Sequence, residues 1–166
     1  KKCKANRINV AIETCGFGNF EEFEEALHYI DEMFFDVKHI DPRIHRQLTG
    51  VGNEVILENL KQISTYGIPI TIRTPVVPGY NDSEENIAGI ATFIKSIPNI
   101  QGYELLPYHN LGESKYQSLG RDYELKDVKP TEDEDIIKLV KLANQILQSY
   151  GKPCFYTVKN RKEILI

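Results

Sequence analysis

Four short apolar runs, rich in β-branched residues and separated by stretches of helical periodicity, limit this chain to few folds. They read INVAIET (8–14), FFDVKHI (34–40), PITIRTPVV (69–77) and GYELLPY (102–108). Phe20, Phe23, Leu27, Ile30 and Phe34 recur at helical spacing, which predicts an amphipathic helix over 20–32. Ile56, Leu60 and Ile63 predict another over 53–65, closed by Gly67. Ile87, Ile90, Ala91 and Ile94 form the inner face of a third, behind an Asp82–Glu85 capping box. A Thr131–Glu134 box opens the last helix, which carries Ile137, Val140 and Leu147 and stops at Gly151. CFYTV (154–158) is a final short strand. DPRIHRQLTGVGN (41–53) reads as a loop with a single helical turn, and 109–130 as a long polar loop. The opening KKCKANR reads as the basic last turn of a helix stopped at Asn6, so the chain reads as a piece of a longer one.

Strand and helix alternate, the pattern of βα units and a parallel sheet. An open doubly wound sheet and part of a βα barrel both fit. The polar residues favour the barrel, because they gather at the C-terminal ends of the strands: Glu13 and Thr14, Asp36 and Lys38, Arg73, then His109. Barrel sites are built at that end. No glycine-rich phosphate turn follows a strand, and GFGNF lacks the third glycine such a turn needs. The 166 residues read as one domain.

Asp36 and Lys38 are two apart and share one face of a strand. Burying either charge alone would cost several kcal/mol, roughly. They are either a structural ion pair or a mouth-facing pair for a zwitterion or cation. Glu13 would add a second carboxylate at the same rim, which calls for a cation or a ligand ammonium between the two. Arg73 reads equally as a surface arginine, and His109 as a satisfied, half-buried histidine. His39 and His45, six apart, make no metal pattern. Twenty basic residues against 24 acidic, a net charge of −4, argue against a nucleic-acid or anionic-membrane surface. No apolar run has the length of a membrane helix. Cys3, Cys15 and Cys154 are widely spaced and form no disulfide framework, which points to a reducing cytoplasm.

ETCGF (13–17), DVKHID with HRQLTGVGNE (36–54), IRTPVVPGYND (72–82) and LLPYHNLGESKYQSLGRDY (105–123) follow one another in order. Together they resemble the later part of the radical SAM enzymes that activate glycyl radical enzymes, the pyruvate formate-lyase activating family. The resemblance covers essentially the whole chain. It implies the C-terminal part, about four βα units, of a partial (β/α)6 TIM-like barrel. It implies an activase that uses a 4Fe–4S cluster to cleave S-adenosylmethionine (SAM). The resulting 5′-deoxyadenosyl radical takes a hydrogen from a backbone glycine of a partner enzyme. By position, Asp36 and Lys38 match a strand motif near the methionine part of SAM. Arg73 matches an inward arginine, and His109 and Leu111 match a segment near the nucleoside. Glu13 and Thr14, with Asp36, match a strand end that holds a monovalent cation. The implied partners are a glycyl radical enzyme and an electron donor such as flavodoxin or ferredoxin.

The chain departs from the family in three places. Glu13 stands where pyruvate formate-lyase activators usually carry Asp, and ETCG and GESKY look closer to activators of other glycyl radical enzymes. The cluster motif C-x-x-x-C-x-x-C is absent, and three cysteines this far apart cannot replace it. The glycine-rich motif of the second strand is absent too. The chain is therefore expected to hold strands three to six, to bind no cluster, to be inactive alone, and to self-associate through its exposed sheet edge. Two other readings stand beside this one. One is a complete βα lyase using Lys38 as a Schiff-base or acid–base residue. The other is a non-catalytic module that docks a partner through 110–130.

Overall fold

A computed structural model describes residues 1–158 and 161–164. The elements run α1 (Lys2–Ala5), β1 (Ala11–Thr14), α2 (Phe20–Leu27), β2 (Glu32–Asp36), α3 (Pro42–Thr49) and α4 (Glu54–Ile63). Then come β3 (Ile70–Val76), α5 (Glu84–Ile94), β4 (Ile100–Pro107), α6 (Glu113–Ser118), α7 (Asp133–Leu147), β5 (Cys154–Val158) and β6 (Arg161–Ile164). One sheet holds all six strands in chain order, the first five parallel and β6 antiparallel to β5. In a doubly wound sheet the strand order reverses at a switch point. Here each new strand is added on the same side, which is how a barrel wall is laid down.

The strands alternate between two environments. Met33, Phe35, Ile70, Ile72, Thr74, Tyr103 and Leu105 are buried beneath the helices. Leu27, Ile56, Leu60, Ile63, Ile87, Ile90 and Ile94 meet them there, joined by Ile136 and Val140 of α7. The opposite face carries Phe34, Asp36, Arg73 and Glu104 in register across three strands. Two polar side chains are absorbed on the helix side: Thr74 donates to Val37 O at 2.6 Å and lies 2.9 Å from the buried Tyr103 hydroxyl. No helix among the described residues is long and apolar enough to cross a membrane.

The segment after β2 is a full helix, α3, where the sequence reading expected a loop. Its sequence, PRIHRQLT, carries only Ile44 and Leu48 as apolar side chains at helical spacing, a short signal beside the flanking Pro42 and Gly50. Its ends hold it instead. Asp41 Oδ1 accepts from Arg43 N at 2.7 Å and Ile44 N at 3.4 Å, Pro42 fills the first turn, and Gly50 closes it at φ 86°. Arg43 also pairs with the Asp41 carboxylate and holds it down to about 2.

Several boundaries move. α2 ends at Leu27, and β2 starts at Glu32 instead of Phe34 and ends at Asp36, so Lys38 lies beyond the strand. Asp31 sets that entry: its Oδ2 accepts from Val10 N at 2.8 Å and it pairs with Lys4. The cap of α5 is Ser83, whose hydroxyl accepts from Asn86 N at 3.2 Å, while Asp82 closes the preceding turn onto Gly79 N at 2.9 Å. Thr131 caps no helix. It donates to Val76 O and accepts from Tyr108 N, both at 2.9 Å, tying the end of the post-β4 segment back to its start and to β3. The expected 109–130 loop contains a 3₁₀ turn, Asn110–Gly112, and α6.

Candidate functional site

The C-terminal end of β2 and the middles of β3 and β4 place Asp36, Arg73 and Glu104 in one row, because these residues are paired in register on adjacent strands. Asp36 Oδ2 accepts from Lys38 Nζ at 2.8 Å. Their side chains are 17% and 34% exposed, so the pair sits at the rim and not in bulk water. Asp36 Oδ1 is buried and has no hydrogen-bond partner. An orphaned carboxylate oxygen beside an ammonium calls for an incoming donor.

Arg73 is more enclosed than a surface arginine. Its guanidinium stacks on the Phe34 ring, 3.8 Å from the centroid. Its Nε donates to Glu104 Oε2 at 2.7 Å, and Nη1 lies 3.4 Å from Glu13 Oε1. Glu104 is 6% exposed, and its second oxygen accepts from Thr157 Oγ1 at 2.6 Å. The sequence reading overlooked Glu104. The signal was there, since GYELLPY carries one acid inside an otherwise apolar strand.

The loop after β2 is held by buried amides that the sequence reading also overlooked. Asn53 Nδ2 donates to His39 O and Ile40 O, both at 2.8 Å. Asn81 Nδ2 donates to Lys38 O at 2.9 Å and Pro75 O at 2.8 Å. Asn86 Oδ1 accepts from Ile40 N at 2.8 Å. These bonds fix the backbone of Lys38 and its neighbours from three directions. His39 and His45 serve the same loop. His39 Nδ1 accepts from Asp41 N at 3.0 Å, and burial holds its ring below the ordinary histidine value. His45 Nδ1 donates to Val51 O at 2.7 Å.

The other predicted residues sit differently. Glu13 reaches toward Arg73, and its side chain is 61% exposed. Thr14 Oγ1 accepts from Gly16 N at 3.0 Å, a local turn bond. Among the described residues no three His, Cys, Asp or Glu side chains form a group that could hold a metal. His109 and Leu111 are exposed at the turn after β4, outside the Asp36–Arg73–Glu104 row. Beside Lys38 a cavity of about 420 Å³ opens between the end of α3 and the segment after β4. Leu48, Tyr80, Asn81, Tyr116 and Tyr123 line it. Cys3 and Cys15 are exposed, and Cys154 is buried in β5, where burial pushes its thiol up. An acid with a free oxygen, an ammonium and a guanidinium together suit a zwitterionic, amino-acid-like group.

The sequence model of the Radical SAM superfamily matches residues 1–90. The (2S)-3-sulfopropanediol sulfolyase activating enzyme of Bilophila wadsworthia is 42% identical, over 92% of this chain and 49% of its own. The pyruvate formate-lyase-activating enzyme of Clostridium pasteurianum is 38% identical, over 89% of this chain and 62% of its own. The chain thus spans about half to three-fifths of the length of these curated relatives. Among solved structures, a domain of pyruvate-formate lyase-activating enzyme from Bacteroides vulgatus superposes with a TM-score of 0.74 at 25% identity. That match covers 95% of this chain and 86% of the other.

Proposed function

The chain belongs to the radical SAM superfamily, and from that premise we propose that it is the SAM-facing part of an enzyme that activates a glycyl radical enzyme. One observation carries the reading: Asp36 Oδ1 is buried without a partner while Oδ2 holds Lys38. The methionine end of SAM carries an ammonium and a carboxylate, which match the free oxygen of Asp36 and the ammonium of Lys38. Bound there, SAM supplies the group that takes hydrogen from a backbone glycine of the partner. Asp36 and Lys38 fix its amino-acid end, and the pinned loop keeps that contact in place. Arg73 offers its Nη edge from the next strand, and His109 and Leu111 flank the nucleoside. Glu13 and Thr14, with Asp36, hold a monovalent cation at the rim.

The cysteines of this chain do not fit an iron–sulfur cluster. Two are exposed, the third is buried in β5, and cluster ligation needs convergent thiolates. In this proposal the cluster is held by residues other than these, and the chain alone is inactive. The partner is pyruvate formate-lyase or, on the strength of Glu13 and GESKY, another glycyl radical enzyme. Flavodoxin or ferredoxin supplies the electron, and the cytoplasm is the setting. Anaerobic reconstitution of the chain with iron and sulfide is expected to give no cluster EPR signal and no 5′-deoxyadenosine from SAM. Either product from residues 1–166 alone would overturn the division of the site.

The same proposal makes the free edge of β1 a pairing surface. β1 bonds only to β2 within the described sheet, and Val10, Ile12 and Ile30 line an apolar groove beside it. Unpaired edges recruit strands. Sedimentation velocity should show association that grows with concentration, and a monomer at every concentration would refute it.

A further inference from the structure

Asp36 has an arginine for a neighbour and yet keeps one oxygen free. Arg73 is its register partner on the adjacent parallel strand, on the same face and about 4.8 Å away along the sheet. An arginine so close would ordinarily turn to the half-buried acid and close it. It turns instead back along β2, over Phe34 and toward Glu13 of β1. Glu104, its register partner on β4, accepts from Nε at 2.7 Å, and Phe34 stacks under the guanidinium at 3.8 Å.

We propose that Glu104 is a positioning residue that draws Arg73 away from Asp36 and so keeps Asp36 Oδ1 open for a ligand donor, with Thr157 holding Glu104 in that pose. The proposal rests on Asp36 being the ligand-facing acid described above. Neutralising Arg73 does not require Glu104 to be buried, because Glu13 already brings a carboxylate to 3.4 Å of Nη1 from β1. What Glu104 adds is direction. It takes Nε at 2.7 Å and leaves Nη1 toward Glu13 of β1. Thr157, from β5, saturates the remaining oxygen of Glu104 at 2.6 Å, so the carboxylate has one orientation. The device spans four strands, β2 to β5, and its output is one unpaired oxygen.

Glu104→Gln keeps the volume and removes the charge. A crystal structure of this variant should show an Arg73 Nη within about 4 Å of the Asp36 carboxylate, ion-pair distance. Arg73 remaining on residue 104 would overturn the proposal, whatever the ligand does. Calorimetric titration of SAM into the protein carrying this chain should show at least about a tenfold loss of affinity for Glu104→Gln. The same substitution in an Arg73→Gln background should change affinity by less than about twofold, because no guanidinium remains to close Asp36. Equal penalties in both backgrounds would also overturn it. If the unsubstituted protein binds no SAM, the reading above fails, and the Arg73 position in the Glu104→Gln structure still decides this one. Thr157→Val replaces the hydroxyl with a methyl, removes the bond to Glu104 and should shift Arg73 the same way to a smaller extent, which keeps the structural arm open if Glu104→Gln does not fold.

Discussion

Gly16→Ala is expected to lower stability by about 2–5 kcal/mol, a large share of the roughly 5–15 kcal/mol that holds a domain folded. Two separate costs add. The backbone at Gly16 has φ +68°, a conformation that costs an L-residue about 1–2 kcal/mol. A Cβ there would lie 2.1 Å from Phe35 Cζ and 2.6 Å from Cε2. Phe35 is completely buried under the helices, so its ring has nowhere to go, and such overpacking costs about 1–3 kcal/mol. The loop cannot step aside either, because Asn59 Nδ2 donates to Gly16 O at 2.8 Å and Gly18 O at 2.9 Å. Gly18 is the internal control. It lacks a positive φ, and a Cβ there meets Phe23 at an ordinary 3.4 Å. Gly18→Ala should therefore change stability by less than about 1 kcal/mol. Urea denaturation of both variants separates the two cases, and equal midpoints would show that Phe35 yields. The site would register the change too, since Thr14 Oγ1 accepts from Gly16 N.

The βα order was legible because it is written in periodicity, and periodicity survives every local detail. Leu60 and Ile63, or Ile90 and Ile94, can occupy one helix face only if the helix is there. Features made by single hydrogen bonds were less legible. α3 is closed at both ends by Asp41, Pro42 and Gly50, and its apolar side is only the pair Ile44 and Leu48. Asp82 and Ser83 are both good cap residues, and only the path of the chain decides that Asp82 serves the Gly79 turn. The site shows the same division. Asp36 and Lys38 stood out as charges in an apolar run, and the structure pairs them. Arg73 was ambiguous, because the acid that binds it, Glu104, is 31 positions away. Asn53 and Asn81 look like ordinary loop asparagines and Asn86 like a first-turn helix residue, and their work of pinning the Lys38 loop depends on backbone groups brought close only by the fold. Resemblance supplied the ligand class, which charges at strand ends alone had left as a zwitterion or a cation.

Asp36→Asn should reduce the affinity of the protein carrying this chain for SAM by about 10–150-fold, the range of one hydrogen bond to a charged group. The side chain keeps its size, and one of its two acceptor positions becomes an NH₂ donor. Lys38 decides which. Its ammonium, 2.8 Å from Oδ2, can only donate, so the amide oxygen must turn toward it. The NH₂ group then occupies the place of Oδ1, the buried position that has no partner in this structure. A ligand ammonium arriving there meets a donor where it needs an acceptor, and it loses the bond and gains a repulsion. Folding should change little, because the amide oxygen keeps a hydrogen bond to Lys38 and the Lys38 ammonium, one-third exposed, stays hydrated without its ion-pair partner. Affinity and stability are therefore expected to separate: calorimetric titration should show the loss while the urea midpoint stays within about 1 kcal/mol of the unsubstituted protein. Unchanged affinity would remove Asp36 from the ligand site. A large fall in stability would mean that the Asp36–Lys38 pair holds the rim together and is not a recognition group.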